Sequence, residues 1–157
     1  MSELVLLVGD RISVATSMQH VAPTMRKDVV VVDATIRSVE QEPSDSGESV
    51  LSNDEWMGLM PTSRVVRAFA SVPVEAFIAL VDQPRSLEAS DLAVPLAGDD
   101  LDAKVKVSTY MREIGVEPFD LGPLAVSYVM DVQGPLFGKA VDDVSMRELV
   151  GWLAGDG

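Results

Sequence analysis

The sequence predicts an α/β fold: a mainly parallel sheet of about five strands with helices on both faces, in three layers. Three observations carry that expectation. Short, continuous apolar runs, E-L-V-L-L-V at Glu3–Val8, V-V-V-V at Val29–Val32 and V-V-R-A-F at Val65–Phe69, have the character of strands buried on both faces. Stretches with helical apolar spacing lie between them, so strand and helix alternate along the chain. Length and composition agree: 157 residues, 47% hydrophobic and 24% charged, fit one globular domain that buries most of its apolar surface without staples.

Glu3–Val8 is the first strand. A helix follows over about Ser13–Val21, with Ser13 as its early cap, Ile12, Met18, Val21 and Met25 at near-helical spacing, and Pro23 as an interruption. His20, near its end, reads as a residue suited to a helix C-terminus, since no partner for a ligand or base role is visible in sequence. Val29–Val32 is the second strand. Ser38–Asn53 is rich in Ser, Glu and Asp, with Pro43 and Gly47 inside it, and reads as a flexible acidic loop. A lid over the strand ends is the functional alternative, but nothing in it is aromatic or basic enough to grip a nucleotide.

Ser52 with Glu55 three residues later is a capping-box pattern for a short helix through Trp56, Leu59 and Met60, stopped by Pro61. Val65–Phe69 is the third strand, and Val74–Val81, entered through Pro73, another helix. Ala93–Ala97 is the fourth strand, with the turn at Gly98. Asp99 or Asp100 then caps a helix whose apolar face is Ala103, Val107, Tyr110 and Ile114, and Gly115 ends it. Asp100 with Lys104 and Asp102 with Lys106 are acid-then-base pairs four apart that add modest local support. A strand through Val116–Leu121, a helix over about Leu124–Asp131 opened by Pro123, a loop over Gln133–Asp143 and a last helix capped by Ser145 and Glu148 complete the chain. There is no internal repeat.

Composition narrows the function. With no cysteine and one histidine the chain has neither disulfides nor a thiolate or histidine-cluster metal site, and a cytoplasmic location is expected. No apolar run approaches a membrane span of about twenty residues, so no membrane partner is expected. A net charge of −13 argues against nucleic acid, because no basic surface exists to displace phosphate counterions. His20 has no G-x-S-x-G serine to serve, and a helix cap accounts for Asp99 and Asp100 better than a metal or acid/base pair does. The eight methionines read as core filler.

The wording of several segments goes beyond what folding requires. V-P-L-A-G-D-D with the following A-K, and G-V-E-P-F-D-L-G-P-L, resemble the C-terminal part of the NADPH-dependent reductases of the deazaflavin coenzyme. V-V-R-A-F-A at Val65–Ala70 resembles that family's V-V-K-A-F-N, and V-V-V-V-D-A-T at Val29–Thr35 its strand ending in D-A-T-N. The resemblance runs from about Glu3 to about Met130 and implies a truncated, Rossmann-like fold. The family opens with a strand and a glycine-rich loop that cradles the cofactor pyrophosphate. Here the nearest candidate, V-G-D-R-I-S, has only Gly9 in place with an acid after it, so neither it nor Asp33 as a ribose-binding acid fits the motif.

Ligands of open α/β sheets bind at the carboxyl ends of the strands. The resemblance therefore implies Val8 with Gly9, Ala34 with Thr35, Phe69 with Ala70, and Leu121 with Gly122 as positions around a nicotinamide or deazaflavin ring. Ala70 and Ile36 stand where the family has asparagines, which deletes two ring-orienting amides. NADP or the deazaflavin coenzyme is what the resemblance implies as cofactor. With loop and amides both gone, none is expected to bind, and the chain reads as a binding or assembly module. The rival expectation is an active NAD(P)-linked reductase whose site a partner chain completes.

In that family the strand matching Leu4–Val8 is interior, so without the preceding strands it lies at an edge. Such an edge, apolar and without lysine or proline, invites pairing. A homodimer joined through Glu3–Val8 is expected, with proline at Leu6 breaking it.

Overall fold

The structure is a computed structural model that describes residues 4–37, 51–82 and 92–155. Its strands are β1 (Leu4–Asp10), β2 (Val30–Ile36), β3 (Arg64–Ala68), β4 (Ala93–Gly98) and β5 (Glu117–Asp120). The helices are α1 (Arg11–Val21), α2 (Asn53–Gly58), α3 (Val74–Asp82), α4 (Leu101–Glu113) and α5 (Asp143–Gly155), with 3₁₀ turns at Ala22–Thr24 and Leu124–Met130. The strands form one sheet in chain order. β1 with β2, β2 with β3 and β4 with β5 are parallel, while β3 and β4 are antiparallel. The α/β, mainly parallel, five-stranded expectation is met. No helix among the described residues is long and apolar enough to cross a membrane.

Alternation along β2 and β3 sorts the core into two layers. Val30, Val32, Val66 and Ala68 face α4, burying Ala103, Val107 and Met111 against them, with Phe77 of α3 beside. Val31 and Val65 face the other way, onto Ala15 and Met18 of α1 and Trp56 of α2. A third cluster joins Ala93 of β4 to Leu136 and to Met146 of α5. Helices therefore cover both faces of the sheet.

Several expectations shift once the layers are known. α1 begins two residues earlier than Ser13, and its cap is Asp10, whose Oδ2 accepts from the Ser13 N–H at 3.1 Å. β2 runs four residues beyond Val32, and Pro23 is absorbed in the 3₁₀ turn. The capping box at Ser52 and Glu55 forms in full. Of the acidic loop, residues 38–50 lie outside the described residues, and Asn53 is already helical. On α4, Asp100 is the cap, accepting from the Ala103 N–H at 2.7 Å. The buried stripe is Ala103, Val107 and Met111, leaving Tyr110 and Ile114 exposed. Asp100 pairs with Arg64, and Lys104 with Asp120 across the turn, in place of a bond between them. The segment after Pro123 winds as a 3₁₀ helix, and α5 is capped by Asp142, which accepts from the Ser145 N–H at 2.7 Å, so Ser145 and Glu148 do not form its box.

β1 differs from the expectation of burial on both faces. It is one of the two edge strands, and its side chains facing the α4 layer, Leu6 and Val8, are 53% and 65% exposed. α1 covers only its other face, where Leu7 is buried.

Candidate functional site

The carboxyl ends of β1, β2 and β3 lie side by side, and a cavity opens on each face of the sheet there. The larger, of about 500 Å³, lies on the α4 face. Leu6, Val8, Ala34 and Ile36 form its floor, because alternation on β1 and β2 turns those residues to that face. The turn after β3 supplies Phe69, Ala70 and Ser71, and α3 supplies Val74 and Phe77. Phe69 holds φ at +67°, a left-handed conformation rare for a bulky residue. Its ring lies 5.7 Å from that of Phe77 at 55°. Strain of this kind concentrates at binding sites. Among the described residues no titratable side chain lines the cavity, so it offers an apolar surface and no acid or base.

Of the eight positions the resemblance implies, Val8, Ala34, Phe69 and Ala70 come together in this cavity. Thr35 points to the opposite face. Gly9, at φ +120°, alternates away from the cavity between Val8 and Asp10. Leu121 packs under α5, and the Gly122 carbonyl accepts from Lys104 Nζ at 3.4 Å, so neither lines it. Because β3 and β4 are antiparallel, β5 runs opposite to β3 and its carboxyl end points away from Phe69. Ile36 and Ala70, the two positions that stand where the resembled family has asparagines, both line the cavity.

On the other face the alternate residues of the same strands build a buried ionic network. Asp33 Oδ2 accepts from Arg11 Nη2 at 3.0 Å and from Trp56 Nε1 at 2.9 Å, and Asp33 Oδ1 accepts from the Thr35 hydroxyl at 2.6 Å and its N–H at 3.0 Å. Arg67 sits 3.7 Å from Asp33 and donates to Asp131, which Arg37 also approaches at 3.7 Å. Arg11 lies over the Trp56 ring, 5.0 Å from its centroid. Burial pulls the Arg11 guanidinium below its usual value and Asp33 pulls it back; an arginine remains charged throughout. A smaller cavity of about 180 Å³, lined by Arg11, Asp33, Asn53, Asp99 and Arg67 among others, opens here. Asp33 is thus occupied by four hydrogen bonds inside the protein, and His20 is at the surface with Nδ1 3.1 Å from the Thr16 carbonyl oxygen.

Sequence reading missed this network. The signal was available: Asp33 and Arg67 each follow an apolar strand run, and a charge in such a run must be paired when buried. Asp131, 64 residues from Arg67, gave no such sign.

No family model and no curated protein matches the chain. Among solved structures it is similar to the hypothetical protein SMa0349 of Sinorhizobium meliloti, at 26% identity and a TM-score of 0.64 over 89% of this chain. It is also similar to a protein of Arthrobacter sp. FB24, provisionally described as an F420-dependent NADP reductase, at 21% identity and a TM-score of 0.58 over 80% of this chain. The chain spans 66% and 57% of the lengths of these two proteins. Both share its α/β, Rossmann-like fold.

Proposed function

We propose that this chain is a homodimeric binding module, a degenerate relative of the NADP- and deazaflavin-dependent oxidoreductases that holds an apolar group without reducing it. The observation that carries this reading is the cavity at the strand ends. It occupies the place where open α/β sheets take their ligands, yet Ile36 and Ala70 make its wall apolar where a carboxamide would need a partner. Its volume falls within the roughly 300–1,000 Å³ of small-molecule sites. No phosphate-binding glycine loop is found in the sequence to hold a dinucleotide beside it.

The dimer follows from β1. An antiparallel two-fold copy of this strand, related by an axis normal to the sheet, keeps every side chain on its own face. The partner's Leu6 and Val8 then close the open side of the cavity, while its backbone pairs the outward N–H and C=O groups of the edge.

A second reading has its own support. The two similar structures are longer than this chain, which spans 66% and 57% of them, so a partner could supply what an active NAD(P)-linked reductase needs. Calorimetric titration with NADPH, NADH and the deazaflavin coenzyme at high protein concentration separates the two. The binding-module reading expects no micromolar affinity for a nicotinamide cofactor; micromolar binding of NADPH or NADH would replace it with the reductase reading.

A further inference from the structure

Among the described residues, one with a polar side chain, Ser71, lines the larger cavity. Ser71 is 2% exposed, and its hydroxyl, buried in the wall, has no hydrogen-bond partner among the described residues. Its main chain is anchored, with the carbonyl accepting from the Gly138 N–H at 2.7 Å, so the side chain alone is unsatisfied. Buried hydroxyls almost always find a partner, and one that does not calls for a reason. Around it every lining side chain is apolar, with Phe69 and Phe77 at 55° to each other presenting ring surface. Among the described residues no cation lines the wall to meet an anion, and the chain as a whole carries −13.

We infer that the cavity takes a neutral, flat, largely hydrocarbon ring system bearing one hydrogen-bonding oxygen, and that Ser71 is the residue that recognises that oxygen. Phe69 and Phe77 contact the ring, where an offset or tilted aromatic pair adds to the area buried. The serine hydroxyl reaches the ligand oxygen by moving between the staggered wells of a single side-chain torsion, and as donor and acceptor it accommodates either a hydroxyl or a carbonyl. A charged substituent would enter an apolar wall unpaired, which excludes carboxylates and phosphates. This inference rests on the binding-module reading and assigns that module a ligand class.

Equilibrium dialysis with three probes of one ring size tests it: 2-naphthol, naphthalene and 2-naphthoate. The protein is expected to bind 2-naphthol about three- to tenfold more tightly than naphthalene, the range a single net hydrogen bond gives, and 2-naphthoate most weakly. Ser71→Ala should abolish the naphthol preference while naphthalene binding stays. Because the variant removes an unsatisfied group, its urea midpoint should hold or rise, whereas a structural hydroxyl would lower it. Val74→Trp, at a residue 62% exposed on the cavity rim and so compatible with folding, should weaken all three probes. Equal binding of naphthol and naphthalene, a preference that survives in Ser71→Ala, or tightest binding of naphthoate would overturn the inference. So would no binding at all, or probes indifferent to Val74→Trp. Micromolar NADPH binding would instead remove the non-catalytic reading and leave the naphthol ratio where it stands.

Discussion

At the scale of single residues, Asp33 shows how a charge earns its place inside a sheet. Its two oxygens accept from Arg11, Trp56 and Thr35, and Arg67 stands 3.7 Å away, with both arginines almost wholly buried. Removing Asp33 leaves the buried Arg11 without its carboxylate, while Arg67 keeps Asp131. Asp33→Ala is therefore expected to cost about 3–5 kcal/mol, read as a fall in ΔG from urea unfolding. A loss below about 1 kcal/mol would mean the network is solvated and contributes little. The sequence displayed the charges on strands but not their partners. Arg67 meets an aspartate 64 positions away, a pairing that only chain folding creates.

At the scale of elements, caps were the most legible feature because their partners lie three residues apart. Ser52 and Glu55 close a reciprocal box in front of α2, the Glu55 carboxylate accepting from the Ser52 N–H and hydroxyl, each at 2.8 Å. Those bonds, the backbone N–H first, hold the Glu55 carboxyl below its usual value of 4.5. A depressed carboxyl stabilises the fold above its unfolded value and loses that contribution as pH falls through the lower folded value. The protein should thus be more stable than Glu55→Gln at pH 6, with the gap in urea midpoint narrowing steadily as pH drops below 4.5. A gap that is constant or widens on acidification would show that the box is not closed in solution. At α1 and α5 an aspartate three residues before the expected serine, Asp10 or Asp142, takes the role instead. In both helices the carboxylate before the first turn accepts from the backbone N–H of the serine expected to be the cap.

At the scale of the whole molecule, one sheet edge dominates. β1 presents seven residues on an outer edge with Leu6 and Val8 exposed beside the cavity, and α1 covers only the opposite face. The proposed dimer joins two such edges, so disrupting the strand should release monomers. Leu6→Pro is expected to convert a sedimenting dimer to a monomer. Leu6→Lys, at a side chain already 53% exposed, should do so without unfolding the subunit, by bringing like charges together across the axis. A monomer at micromolar concentration in the unsubstituted protein, or a dimer indifferent to Leu6→Lys, would place the interface elsewhere. The same experiment bears on the cavity, which Leu6 and Val8 of that edge help to line.

The sequence by itself determined the alternation of strand and helix, the α/β class with its mainly parallel sheet, the box before α2 and an aspartate cap for α4, Asp99 or Asp100. Each depends on residues a few positions apart, where backbone geometry fixes what can meet. It also identified Val8, Ala34, Phe69 and Ala70, which the structure gathers at one cavity, because parallel strands bring their carboxyl ends to the same side. Tertiary structure alone decided which face each side chain serves. α4 has apolar residues at both Tyr110 and Met111, and contact with the sheet selected Met111. Leu121 and Gly122 follow β5, which the antiparallel pairing of β3 with β4 runs opposite to β1, β2 and β3, so its carboxyl end points toward the other end of the sheet from the cavity. Thr35, next to Ala34 in sequence, serves a buried ionic network on the far face, because one step along a strand reverses the side on which its side chain acts.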